Sequence, residues 1–102
     1  PKATITILGS GTSQGVPVIA CGCNVCASTS SKDKRLRCSV MIGFNGENFV
    51  IDSGPDFRQQ MLTHNVKKVD AILFTHEHID HVGGLDDVRS FNYKWKCSFA
   101  LY

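Results

Sequence analysis

Residues 75–81 read Thr-His-Glu-His-Ile-Asp-His, and the pattern His-x-His-x-Asp-His packs four potential metal ligands into six positions, directly after an apolar, strand-like run. Imidazole nitrogen and carboxylate oxygen are donors that zinc accepts, and a catalytic zinc keeps one position open for water or substrate. The same ligand types favour two metals held close together. In an extended segment alternate side chains point the same way. His76, His78 and Asp80 can therefore converge on one side, with His81 turned toward a neighbouring position, so that one short loop feeds two metals. A lone histidine is usually a polar surface residue, but three in six positions with an interleaved aspartate fit that reading poorly.

The chain of 102 residues is short enough for one domain with a modest core. Its 42% hydrophobic and 20% charged content is ordinary for a folded globular protein and argues against disorder. No apolar stretch is long enough for a membrane span. The first residues alternate polar and apolar like a strand and lack the long apolar core of a secretory signal, so a cytoplasmic location is the default expectation. A formal net charge of +2 is too small to imply a nucleic-acid partner, and the one basic cluster, Lys32 to Arg37, reads as a solvated loop. Five cysteines are an odd number without an export signal, so a disulfide framework is not the natural inference and metal or free thiols are.

Ile5, Ile7 and Leu8 suggest a first strand, ended by the glycine-rich Gly9-Ser10-Gly11-Thr12-Ser13-Gln14-Gly15. That spacing, followed by Pro17, departs from the dinucleotide fingerprint and opens no helix. Residues 20–37 form a long irregular connection with Cys21, Cys23 and Cys26, and long loops are usually functional or pinned. Three cysteines in six residues of a polar loop favour a structural zinc over buried thiols. Two strand-like runs, 38–44 and 48–52, flank Asn45-Gly46-Glu47 and predict a β-hairpin. Pro55 opens a helix expected over Asp56 to about Thr63, with Phe57 and Met61 on its apolar face and His64 at its end as a surface residue. Val69 to Phe74 read as a buried strand whose carboxyl end delivers the ligand loop. A helix is expected over residues 83–91, and strand character over residues 97–102. Cys38 and Cys97 read as packed or free thiols, and Trp95 as cover for a core edge.

The Leu8-Gly9-Ser10-Gly11-Thr12 start, the strand-ending Ile51-Asp52-Ser53-Gly54, and the run from Ile72 to His81 followed by Gly83-Gly84-Leu85 together resemble the metallo-β-lactamase superfamily of metal-dependent hydrolases. The Cys21-x-Cys23-x-x-Cys26 element is similar to the branch that includes the cyclic-ribose-phosphate phosphodiesterase of the carbon-phosphorus lyase pathway. The likeness spans nearly all 102 residues but only about the first half of a family member. It implies an α+β fold: one incomplete domain over residues 1–102, the amino-terminal half of an αββα sandwich, with a mostly antiparallel or mixed sheet and two helices.

The resemblance also implies roles. His76 and His78 would bind a first catalytic metal, and Asp80 with His81 a second. Asp52 would stand just outside the ligands, and Cys21, Cys23 and Cys26 would hold a structural zinc whose fourth ligand lies far downstream. Zinc is the expected metal, with manganese as an alternative. The implied activity is hydrolysis of a small phosphodiester by metal-activated water, with Asp80 also accepting the attacking water's proton. Two other readings are a nuclease acting on transfer-RNA 3′ ends, against which the weak charge and the cysteine trio speak, and a non-catalytic zinc-stabilised module. Half a sandwich leaves an apolar sheet face and open strand edges, so self-association is expected.

Overall fold

The computed structural model describes residues 2–88 and 100–102. Five strands form one mixed sheet in sequence order: β1 (Thr4–Gly9), β2 (Ser39–Phe44), β3 (Glu47–Ile51), β4 (Ala71–Leu73) and β5 (Ala100–Leu101). The first three strands pair antiparallel, whereas β3–β4 and β4–β5 pair parallel. Phe44 pairs with Glu47 across a two-residue turn, in which Asn45 and Gly46 have φ of 53° and 77°. Positive φ at both turn residues matches the right-handed twist of the flanking strands, which is why Asn-Gly serves here.

Alternation along the strands separates two faces. Met41, Val50 and Ile72 lie on one, where Val50 and Ile72 are fully buried. Helix α1 (Phe57–Thr63) covers that face, and Phe57 and Met61 join Leu8, Val50, Val69 and Ile72 in one core cluster. The register shift between Ile7 and Gly9 leaves Leu8 buried on this side while the strand stays paired. The opposite face carries Ile5, Val40, Ile42, Phe49 and Ile51 in cross-strand register, and none of them is buried. Ile5 is 69% exposed and Ile7 56%.

The expected hairpin and first helix both form. The segment 69–74 supplies a shorter strand than its apolar character suggests, because Val69 packs into the core and the Asp70 carboxylate accepts the Asn48 N–H at 2.7 Å. The long connection 20–37 is pinned at its end: Val16 and Arg35 exchange two backbone hydrogen bonds of 2.8 Å, and the Gly11 N–H donates to the Leu36 carbonyl. In place of a helix over 83–91, a short helix α2 (Ile79–Val82) starts inside the ligand motif, and Leu85–Val88 form a 3-10 turn. The rest of that expected helix, the first half of the last expected strand, Trp95 and Cys97 lie outside the described residues. His64 is exposed at the end of α1, and Cys38 is a free, exposed thiol.

Candidate metal centre

Parallel pairing of β3 with β4 brings two carboxyl-terminal strand ends side by side. Asp52 follows β3, adopts φ of 67°, and donates its N–H to the Leu73 carbonyl at 2.8 Å. Its side chain is buried and turns to the adjacent strand end. Oδ1 accepts the Thr75 N–H at 2.8 Å, and Oδ2 accepts the Thr75 hydroxyl at 2.8 Å and faces His81 Nδ1 at 2.6 Å. Burial alone would raise the carboxyl's pKa. The Thr75 N–H, His81 and the Thr75 hydroxyl outweigh it, holding Asp52 below the usual carboxylate range.

Two glycines let the motif fold back onto this strand end. A Cβ on Gly54 would stand 2.2 Å from the Asp80 carbonyl oxygen, and one on Gly84 would stand 2.0 Å from the Gly54 carbonyl oxygen and 2.6 Å from Phe57 Cβ. Gly84 also donates its N–H to the Ser53 carbonyl at 2.9 Å. Backbone therefore packs directly on backbone, and α2 is held against the segment 52–54.

The extended backbone expected through Asp80 stops at His78, whose carbonyl accepts the His81 N–H at 2.9 Å and starts α2. Asp80 and His81 thus project from a helical turn. The imidazoles still meet: His76 and His78 lie edge to face with centroids 4.5 Å apart, and His76 and His81 lie 4.1 Å apart. Asp80 Oδ2 is 2.9 Å from His81 Nε2. Both nitrogens of His81 therefore face carboxylates, Nδ1 toward Asp52 and Nε2 toward Asp80. His78 is exposed, while His76, Asp80 and His81 are half-buried. Imidazole and carboxylate donors at an open strand end suit zinc and several other first-row cations.

Among the described residues, the three cysteine sulfurs are the one trio of such donor atoms lying within 4.8 Å of one another. The histidine–aspartate set is gathered ring against ring, with its donor atoms less tightly converged. Tetrahedral zinc with bonds of about 2.3 Å sets sulfurs roughly 3.8 Å apart, so the cysteine loop is close to ligating geometry. Backbone order supports it. Cys26 donates its N–H to Cys23 Sγ and Val18 donates to Cys26 Sγ, both at 3.4 Å. That Cys26 N–H, followed by the neighbouring thiols of Cys21 and Cys26, lowers the Cys23 pKa to about 7. At Cys26 the Val18 N–H pulls the other way, but the Cys21 thiol, burial and Cys23 together raise its pKa.

Sequence reasoning overlooked Thr75, which touches both Asp52 and His76, and the backbone contacts that require Gly54 and Gly84. It also overlooked an anchor at the end of the connection 20–37. The Asp56 carboxylate accepts the Arg37 N–H at 2.8 Å and pairs with the Arg37 guanidinium at 3.0 Å, while the Gln60 side chain donates to the Arg37 carbonyl at 2.8 Å. Thr75 directly before the first His, and Gly54 and Gly84 inside the quoted motifs, are the sequence signals for the first two, and no local pattern marks the anchor.

Residues 47–101 match the family model of the beta-lactamase superfamily domain. The chain is 50% identical over 97 residues to a Porphyromonas gingivalis protein named octanoyltransferase, an alignment covering 94% of this chain and 19% of that much longer protein. Among solved structures, a diphosphatase of the PhnP family superposes with a TM-score of 0.92 at 50% identity, covering 99% of this chain and 41% of that one. Zinc-bound PqqB from Methylobacterium extorquens superposes with a TM-score of 0.81 at 27% identity, covering 99% of this chain and 36% of that one. The chain thus spans less than half the length of each of these proteins. With the family model covering more than half of its residues, the chain belongs to the metallo-β-lactamase superfamily and resembles its PhnP branch.

Proposed function

We propose that this chain carries the amino-terminal share of a metal-dependent hydrolase whose substrate is a small phosphodiester. The observation that carries the reading is the meeting of His76, His78, Asp80 and His81 at the carboxyl ends of two parallel strands, with Asp52 behind them. The likeness to a PhnP-family diphosphatase supports a phosphoester substrate class. In this reading His76 and His78 hold one cation, Asp80 and His81 a second, and Cys21, Cys23 and Cys26 a structural zinc. Zinc and manganese both suit the histidine–aspartate donors. Metals held by these residues would supply water activation, lowering the pKa of a water from about 15.7 toward 7. Asp52 orients His81, and Asp80, standing beside the His81 ring, is placed to accept the attacking water's proton.

The test is hydrolysis of bis(p-nitrophenyl) phosphate and of an organic diphosphate by a longer protein containing this chain, with and without added zinc or manganese. Metal-dependent turnover that disappears in the His76→Ala, His78→Ala double variant is expected. Turnover that survives that change would refute the reading. Salt-sensitive RNA binding would point instead to the transfer-RNA nuclease, although a net charge of +2 offers little for phosphate contacts. Unfolding on metal removal, in a protein with no hydrolytic activity, would point to the zinc-stabilised module.

The half-open sheet face extends the proposal to assembly. Ile5, Ile7, Phe44 and Leu73 are exposed on a surface that soluble proteins normally cover. A second copy is the proposed cover for the 102-residue chain by itself. Sedimentation should show a dimer or larger species, and a stable monomer would contradict this.

A further inference from the structure

We propose that Thr75 is a positioning residue that fixes which nitrogen of His76 faces the cation, so that one buried carboxylate, Asp52, orients two of the imidazoles. The argument follows the protons. Thr75 Oγ1 lies 2.8 Å from Asp52 Oδ2 and 2.9 Å from His76 Nδ1. A hydroxyl has one proton to give, and an ionised carboxylate has none. Asp52 is 3% exposed and already accepts the Thr75 N–H at 2.8 Å, with His81 Nδ1 at 2.6 Å from its other oxygen. Two oxygens 2.8 Å apart need a proton between them, and the Thr75 hydroxyl is the group that carries one.

The hydroxyl proton therefore points to Asp52 Oδ2, and an oxygen lone pair faces His76. His76 Nδ1 must then carry a hydrogen and donate it to Oγ1, which leaves Nε2 as the unprotonated nitrogen. The opposite assignment, with the hydroxyl donating to His76, would set lone pairs of Oγ1 and Oδ2 against each other at 2.8 Å. His81 reaches the same carboxylate without an intermediary, since its Nδ1 lies 2.6 Å from Asp52 but 3.5 Å from Thr75 Oγ1, too far for a competing bond. Both rings are thereby set to offer Nε2 to a cation. Groups that fix the tautomer of a metal-binding imidazole are worth about 10–100-fold in metal affinity.

The consequence for affinity rests on the metal reading given above, whereas the tautomer is a property of the metal-free chain, so the two can fail separately. Histidine-labelled, metal-free protein at about pH 8, above the usual imidazole pKa of roughly 6.5, is examined by long-range proton–nitrogen correlation, with His76 assigned by its substitution. His76 is expected to be protonated at Nδ1 in the native chain, to shift toward the Nε2-protonated form in Thr75→Val, and to return in Thr75→Ser. Zinc titration should show a 10–100-fold loss in Thr75→Val and recovery in Thr75→Ser. Nε2 protonation in the native chain, or an unchanged tautomer in Thr75→Val, overturns the proposal, and a changed tautomer with unchanged zinc affinity overturns its link to the cation. Should Thr75→Val not fold, the native tautomer and the serine variant decide. The expected tautomers in a chain that binds no zinc at the histidines would uphold the positioning and refute the metal reading.

Discussion

Replacing Asp52 by Asn or Ala separates geometry from charge at the centre of the site. The native carboxylate accepts two hydrogen bonds from Thr75 and one from His81, all at 2.6–2.8 Å. Alanine leaves the Thr75 amide, the Thr75 hydroxyl and the His81 ring without their acceptor beside a buried position, at about 1–3 kcal/mol for each polar group left unsatisfied. Asparagine retains an oxygen for the Thr75 N–H, but its amide nitrogen cannot accept from His81. Two charge-assisted bonds are thereby weakened, at a cost of about 1–2 kcal/mol. Urea unfolding of the metal-free chain reads this directly. With a slope of about 1–3 kcal/mol per molar, the alanine variant should lose at least about 1 M in midpoint and the asparagine variant roughly half as much. The pH dependence has a definite sign. The folded Asp52 pKa lies below its unfolded value of about 3.9, so its contribution is fully present above that value and lost as pH falls through the folded one. The gap between native and asparagine proteins should therefore narrow in acid. Equal midpoints at pH 7, or a gap that widens below pH 4, would refute the reasoning.

Three further outcomes are expected. Gly84→Ala sets a methyl 2.0 Å from the Gly54 carbonyl oxygen, so backbone must shift; about 1–3 kcal/mol of stability should be lost by thermal unfolding, and zinc affinity with it. Alkylation of Cys23 in the metal-free chain should show a rate midpoint near pH 7, with the thiolate reacting above it, and added zinc should suppress the reaction if the trio binds it. In a longer, active protein, Asp80→Ala should reduce turnover by two or more orders of magnitude, as expected of a general base, while leaving zinc at the cysteines by elemental analysis.

The hairpin was legible because Asn45-Gly46 is a local signal: both residues tolerate the positive φ that a two-residue turn demands. Helix α1 was legible from the spacing of Phe57 and Met61, which the structure buries together. The histidine cluster stood out as composition packed into six positions, but its backbone did not. A strand-like reading runs through Asp80, whereas the chain turns helical at Ile79 because the glycine contacts fold it onto residues 52–54. The link between Asp52 and Thr75 was illegible for another reason. It depends on β3 and β4 lying parallel, and a register between segments 23 residues apart leaves no mark in local pattern.

The uncovered side of the sheet bears on how such a protein is made. In relatives more than twice as long, this part and the rest of the chain are made at different times, on the order of ten seconds apart at about 5–20 residues per second. Until the two have met, Ile5 and Ile7 would stay wet on the open sheet, a surface that chaperones and neighbouring nascent chains could engage. Yield in cells would then depend on how quickly the two parts meet as much as on the stability of either.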